Sequence, residues 1–259
     1  MIGLIFHHLK GWNATDMIIN EDKPLSPYIR SEIEKILTHL EAGEPIQYVV
    51  GEAWFYGLLF KVDRRVLIPR PETAELVDMI VDRYADCKDL NVLDLGTGSG
   101  CIAIALARNL KFAHVTGIDV SPGALAVARA NAESLSVDLK LEEADMLSYV
   151  PDVDEWDIIV SNPPYVTERE KGEMDKNVLD WEPETALFVP DSDPLKYYKG
   201  IAEVARRWLK KGGRLYLEIN PLFYDKLTDM LKVCGFVEVE SHLDIHGRRR
   251  FVTCMKKQG

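Results

Sequence analysis

Two short stretches carry residue types able to do chemistry. Asn162-Pro163-Pro164-Tyr165 follows the apolar run Trp156 to Ser161, and Asp94-Leu95-Gly96-Thr97-Gly98-Ser99-Gly100 lies well upstream of it. The prolines restrict the backbone, which holds the Asn162 side-chain oxygen and the Pro163 carbonyl in set directions. Both accept hydrogen bonds from an NH2 group. An amide or aromatic amine is a poor nucleophile because its lone pair is delocalised. Two acceptors gripping its N–H bonds out of plane favour a pyramidal nitrogen ready for alkylation. Pro164 completes the corner, and Tyr165 is placed to stack on a flat substrate group and exclude water.

The glycine stretch suits the cofactor half of such a reaction. Gly96, Gly98 and Gly100 let the backbone turn sharply against a ligand, with Thr97 and Ser99 between them and Asp94 at the preceding strand end. The spacing differs from the Gly-x-Gly-x-x-Gly of dinucleotide sites. Asp119 ends the next strand, where a carboxylate accepts from ribose hydroxyls. Asp145 and Met146 follow a third strand, Asp145 as an acceptor for an adenine amino group and Met146 as packing for its ring. The combined pattern is similar to the S-adenosylmethionine signature of class I methyltransferases. The bland alternatives are a solvated acid at Asp119 and, at Pro163-Pro164, a strand terminator with Asn162 capping its turn.

Positioning these groups requires a layered scaffold. From Asn91 the pattern alternates: strand Val92 to Leu95, helix Ile102 to Leu110, strand Val115 to Ile118, helix Pro122 to Leu135. Further strands are expected at Leu139 to Leu141, Asp157 to Val160, Arg214 to Ile219, Val237 to Ser241 and Phe251 to Met255. Helices are expected at Leu195 to Trp208 and Phe223 to Cys234. This predicts an α/β, doubly wound, Rossmann-like sheet over residues 86–259, with ligands beyond the carboxyl ends of its central strands. Residues 51–85 read as a β-hairpin between Trp54 and Ile68, followed by a linker helix opened by Pro71. Residues 1–50 offer one short amphipathic helix, Ser31 to Leu40, too little to fold alone.

Composition narrows the polymers such a site would serve. The chain of 259 residues carries a formal net charge of -11, which argues against a broad phosphate-binding surface and direct nucleic-acid contact. Gly247-Arg248-Arg249-Arg250 is a local basic cluster that reads best as a solvated turn. Cys87, Cys101, Cys234 and Cys254 are too dispersed for a disulfide framework, and the histidines show no metal spacing. Trp181 and Trp208 read as packing. Without a transmembrane run or a signal-peptide pattern, a cytoplasmic protein with no membrane partner is expected.

These residues resemble the HemK/PrmC family, the release-factor glutamine N5-methyltransferases. The resemblance rests on Pro45-Ile46-Gln47-Tyr48 with Gly51, Val66-Leu67-Ile68-Pro69-Arg70-Pro71-Glu72-Thr73, the Asp94 to Gly100 turn, Ser161 to Tyr165, and Trp181-Glu182-Pro183 ahead of Ala186-Leu187. Arg70 to Thr73 is the most discriminating of these. The resemblance implies methyl transfer from S-adenosylmethionine to the glutamine amide in the Gly-Gly-Gln loop of peptide chain release factors. It assigns Gly96 to Gly100, Asp119 and Met146 to the cofactor and Asn162 to Tyr165 to the glutamine, with Asn162 touching both. It also makes the N-terminal segment a docking element for the release factor, shorter here than the family usually carries. Ala74 stands where the family often has an acid, and Asn220-Pro221 where a glycine is more usual. Two rivals remain: an N6-adenine or N2-guanine nucleic-acid methyltransferase, which would flip a base into the same corner, and a noncatalytic cofactor-binding scaffold.

Overall fold

Strands that are apolar on both faces need helices above and below them, and the residues after Asn91 build such a sheet. The computed structural model describes residues 1–151 and 155–258. Its elements begin with α1 (Ile2–Lys10), α2 (Ala14–Ile19), α3 (Pro27–Glu41), α4 (Ile46–Val50), β1 (Glu52–Phe55), β2 (Leu58–Lys61) and α5 (Pro71–Arg83). They continue as β3 (Asn91–Leu95), α6 (Cys101–Asn109), β4 (His114–Asp119), α7 (Pro122–Ser134), β5 (Lys140–Glu143) and β6 (Trp156–Ser161). The rest are β7 (Val166–Thr167), α8 (Lys176–Trp181), β8 (Phe188–Val189), α9 (Lys196–Trp208), β9 (Leu209–Glu218), α10 (Tyr224–Val233), β10 (Phe236–Leu243) and β11 (Arg249–Lys256).

Seven strands form the main sheet in the order β10-β11-β9-β6-β3-β4-β5. The pairs from β9 to β5 are parallel, and β11 runs antiparallel to both β9 and β10. The class expected from sequence is therefore present. One face buries Tyr198, Ile201 and Ala205 of α9 with Leu227 and Leu231 of α10. The other buries Leu76, Val77 and Ile80 of α5 with Ile102 to Leu106 of α6. The chain leaves β3 toward β4 on one side and returns as β6 on the other, so a switch-point crevice opens beyond Leu95 and Ser161. Ser161 Oγ donates to the Leu95 carbonyl at 2.6 Å, pinning the two strand ends together.

Sequence reading missed most of the N-terminal structure. One helix at Ser31 to Leu40 was expected; four helices precede β1. Helix α3 starts earlier, at Pro27, because Ser26 Oγ caps it by accepting from the Ile29 amide at 3.3 Å. Helices α1 and α4 hold 9 and 5 residues, too few for periodicity to stand out. They persist because Ile5, Ile36, Ile46 and Val50 bury one another in a shared cluster, and tertiary packing outweighs the weak propensity of short helices.

The hairpin forms around Tyr56-Gly57, but its paired part ends at Lys61. Val62, Val66 and Ile68 instead leave the ladder and pack with Tyr48, Ala53, Ala124 and Val127. That diversion turns the linker over the end of the sheet. Between β6 and α9 lies a segment for which no helix or strand was expected: β7 pairs with β8 in parallel, and two 3-10 turns, Glu168–Glu173 and Glu184–Ala186, flank α8.

Candidate active site

The glycine turn is stitched to the end of β4. The Gly96 and Thr97 amides both donate to the Ile118 carbonyl, at 2.9 and 2.8 Å. The Gly98 amide donates to Asp119 Oδ2 and the Ser121 amide to Oδ1, each at 2.9 Å. Asp119 thus sits where the strand-end acid was expected, with its orientation set by backbone. Desolvation raises its pKa, and those amides oppose the rise.

Gly96 has φ +79°, and a Cβ there would lie 2.7 Å from Met146 Cε. Met146 therefore closes over a turn whose left-handed φ favours glycine, a cradle suited to a nucleoside laid against backbone. Gly100 has φ +81°, and a Cβ on it would meet Ile104 Cδ1 at 3.1 Å and Ala128 Cβ at 3.2 Å, so it sets how closely α6 approaches α7.

A cavity of about 260 Å³ is lined by Gly96, Thr97, Gly98, Ser99, Asp119, Asp145, Met146, Asn162 and Pro164. It brings together most of the residues singled out from sequence. Of the residues expected to hold the cofactor, two lie elsewhere. Gly100 caps α6 behind the turn. Asp94 is fully buried; its Oδ2 accepts from Thr97 Oγ1 at 2.7 Å, while Oδ1 has no hydrogen-bond partner among the described residues. Burial pushes Asp94 up to about 7, against the pull of the Thr97 hydroxyl and the Ala103 amide. Its observed contact shapes the turn from below. Asp145 is exposed at the rim, where Oδ1 accepts from the Leu147 amide at 2.9 Å.

The remaining walls come from residues not assigned individually from sequence. Arg65, Val66, Leu67, Pro69 and Arg70 of the linker, Thr73 of α5, Pro183, Thr185 and Ala186, and Lys196 with Tyr197 contribute to them. The linker is fastened to the segment before α9 by Glu182, which is 5% exposed. Glu182 Oε2 accepts from the Ile68 amide at 3.1 Å and Oε1 from the Arg70 guanidinium at 2.5 Å. Trp181 lies under the Arg64 guanidinium, 3.8 Å from its ring centre. Trp181-Glu182-Pro183 and Arg70 to Thr73, noted separately in the sequence, are therefore two sides of one clamp. Cys101 also lines the cavity, but burial pushes its thiol up to about 12, so it stays protonated and is no nucleophile.

Beside this cavity lies a smaller one of about 50 Å³, lined by Leu67, Arg70, Asn162, Pro163, Tyr165, Val166, Ala186, Leu187 and Glu218. Asn162 borders both. Its Nδ2 donates to Thr73 Oγ1 at 3.3 Å, and Thr73 Oγ1 donates to Glu218 Oε2 at 2.7 Å. The Tyr165 hydroxyl donates to Glu218 Oε1 at 3.0 Å. Burial raises the Tyr165 pKa far above its ordinary value and Glu218 adds to it, so the phenol stays neutral. The ring edges the small cavity while its hydroxyl is tied inward. Arg250, within the basic cluster read as a solvated turn, reaches the Tyr165 hydroxyl at 3.5 Å and pairs with Asp244 at 3.2 Å. Arg248 and Arg249 are exposed. Asn220 Nδ2 donates to the Tyr165 carbonyl and to Glu170, at 3.0 Å each. The unusual Asn220 is thus a brace for the corner. Glu218 and Glu170 carry no mark in the sequence, because nothing local distinguishes a carboxylate that becomes a buried hub.

Comparison with known proteins agrees with this geometry. A family model of the methyltransferase small domain matches residues 73–180, and one of the PrmC N-terminal domain matches residues 2–51. A methyltransferase from Pyrococcus furiosus shares the fold at TM-score 0.57 and 16% identity, over 88% of this chain and 99% of that one. The T. thermophilus 16S rRNA N2 G1207 methyltransferase, solved with AdoMet and guanosine, does so at TM-score 0.55 and 18% identity, over 80% of this chain and 50% of that one. The fold is that of class I methyltransferases, and the family model marks the matched residues as a methyltransferase domain.

Relatives narrow the class. The chain is 48% identical to the release factor glutamine methyltransferase of Bacteroides thetaiotaomicron over 96% of its length and 90% of that protein's. With the enzyme of the same name from Flavobacterium psychrophilum it is 44% identical, over 95% and 87%. The protein belongs to the release factor glutamine methyltransferase family.

Proposed function

We propose that this chain methylates the side-chain amide nitrogen (N5) of the glutamine in the Gly-Gly-Gln loop of peptide chain release factors. The observation that carries the reading is Asn162, which borders both the cavity of the glycine turn and the small cavity beside it. When bound, S-adenosylmethionine supplies an electrophilic methyl group. Gly96 to Ser99, Asp119, Asp145 and Met146 would hold it, with Gly100 shaping the turn from behind. The remaining task is to present a nitrogen lone pair along the transfer direction.

In this reading the Asn162 side-chain oxygen and the Pro163 carbonyl accept the two N–H bonds of the glutamine amide and draw the nitrogen out of conjugation. Leu67, Ala186 and Leu187 wall the small cavity with apolar surface, which strengthens those dipoles by excluding water. No strong base is required, since an alkylated amide nitrogen sheds its proton readily. The neutral Tyr165 phenol fits that scheme as a wall.

Residues 1–50 serve in this proposal as the docking segment for the release factor, residues 51–85 as the hairpin and linker helix, and residues 86–259 as the catalytic domain. The net charge of -11 supports a protein partner over a nucleic acid. The proposal places this action in the cytoplasm; no helix among the described residues is long and apolar enough to cross a membrane. The test is mass spectrometry of intact release factor incubated with labelled S-adenosylmethionine. The Gly-Gly-Gln peptide should gain about 14 Da, one methyl for one hydrogen. Label appearing in ribosomal RNA or DNA instead, or cofactor binding without any transfer, would overturn the reading.

A further inference from the structure

An asparagine can serve as the acceptor described above only if its amide faces the right way. Oxygen and nitrogen of the group are nearly equal in size, so packing alone does not choose between them. The choice falls to hydrogen bonds, and the described ones run through a single hydroxyl.

Thr73 is 2% exposed and opens α5, far in sequence from the corner. Its Oγ1 lies 3.3 Å from Asn162 Nδ2 and 2.7 Å from Glu218 Oε2. A threonine hydroxyl has one proton to give. Both carboxylate oxygens of Glu218 accept, Oε2 from Thr73 and Oε1 from Tyr165 at 3.0 Å, and these hydroxyls and Arg250 oppose the rise that burial gives its pKa. The Thr73 proton is therefore committed to Glu218, and its oxygen can only accept from Asn162. That demand is met by the NH2 of Asn162 and by nothing else in its side chain. The amide oxygen is left for the incoming substrate.

We propose that Thr73 is a positioning residue: by bridging Glu218 and Asn162 it orients the Asn162 amide with its oxygen, not its NH2, toward the acceptor nitrogen. The inference rests on the methyl-transfer reading above. Without the hydroxyl, Asn162 is free to turn over and set two donors against the two donors of the substrate amide. The bridge also explains a sequence feature. Arg70 and Thr73 belong to one motif because Arg70 clamps the linker to Glu182 while Thr73, one helical turn on, aligns the catalytic side chain.

The experiment uses the full chain with intact release factor and labelled S-adenosylmethionine. Thr73→Val keeps shape and removes the hydroxyl. It should lower kcat by about 10- to 100-fold, the scale of a misaligned reacting group, with the Kd for S-adenosylmethionine, whose cavity Thr73 also borders, changed far less than kcat by calorimetry. Thr73→Ser restores the hydroxyl and should recover kcat. In an Asn162→Ala background, Thr73→Val should cost nothing further, because the two residues act as one unit. If Thr73→Val melts early, Thr73→Ala carries the same comparison without the added methyl.

A purely structural tie between α5 and β9 would instead lower the melting temperature and leave kcat intact. That result, or losses in the double variant that multiply, would overturn the inference. Failure of the wild-type protein to methylate release factor would overturn the functional reading and the inference with it, and the wild-type control separates the two.

Discussion

The two halves of the active site are built by different means. The cofactor side is a backbone structure: one unbroken stretch, Asp94 to Gly100, bends through positive-φ glycines and hangs its amides on the carbonyl and carboxylate that end β4. The acceptor side is a side-chain structure. Thr73, Asn162, Tyr165, Glu218, Asn220 and Arg250 come from α5, the β6 end, the β9 end and β11 and meet only through hydrogen bonds. A backbone cradle suits a ligand shared by many enzymes, whereas a side-chain network can be re-cut for a particular acceptor without disturbing it.

That contrast makes a strong demand on variants: damage on one side should spare the other. The largest effect is expected for Asn162→Ala. It should reduce kcat by about a thousandfold, the upper range for loss of one preorganised polar group, while calorimetric affinity for S-adenosylmethionine stays within severalfold of wild type. A parallel loss of both would show that the halves are not separable.

Gly96→Ala is the complementary break. The new Cβ meets Met146 Cε at 2.7 Å and must adopt φ +79°, a strain of about 1–2 kcal/mol for an L-residue. Affinity for S-adenosylmethionine should fall about tenfold or somewhat more, and kcat at saturating cofactor should survive. If kcat collapses instead, the turn contributes to the acceptor side as well.

The smallest effect is a pH dependence of stability seated beneath the turn. Folded Asp94 keeps a proton up to about 7, and an unfolded aspartate releases it near about 4. Between those values the folded state binds more protons, so acidification stabilises the fold and alkalinity weakens it. From pH 8 to pH 6 the ligand-free protein should gain about 1.4 kcal/mol from this group, read by urea denaturation. Asp94→Asn, which cannot titrate, should remove that part of the slope. An unchanged slope in the variant would mean that Asp94 is ionised in the fold at both pH values.

The same contrast decides what could be read in advance. The glycine turn, the acid ending β4 and the Asn-Pro-Pro-Tyr corner were legible because each meets its geometric demand within a few consecutive residues. The sheet was legible because buried parallel strands alternate with amphipathic helices. Helices α1, α2 and α4 were not, since α1 and α4 are stabilised by one another's isoleucines and not by a pattern of their own. The segment between β6 and α9 consists of pieces too short for any period to emerge.

By itself, then, the amino-acid sequence determined the elements of the proposed chemistry: glycines where a backbone must turn, an amide beside two prolines that restrict the chain, and a net charge of -11 unsuited to a phosphate polymer. These are local or additive properties of the chain. Only the tertiary structure decided how the Asn162 amide is held, because Thr73, its hydrogen-bond partner, and Glu218 are 145 residues apart. A hydrogen bond acts over about 3 Å, and whether such distant residues come that close is a property of the folded sheet that no stretch of sequence contains.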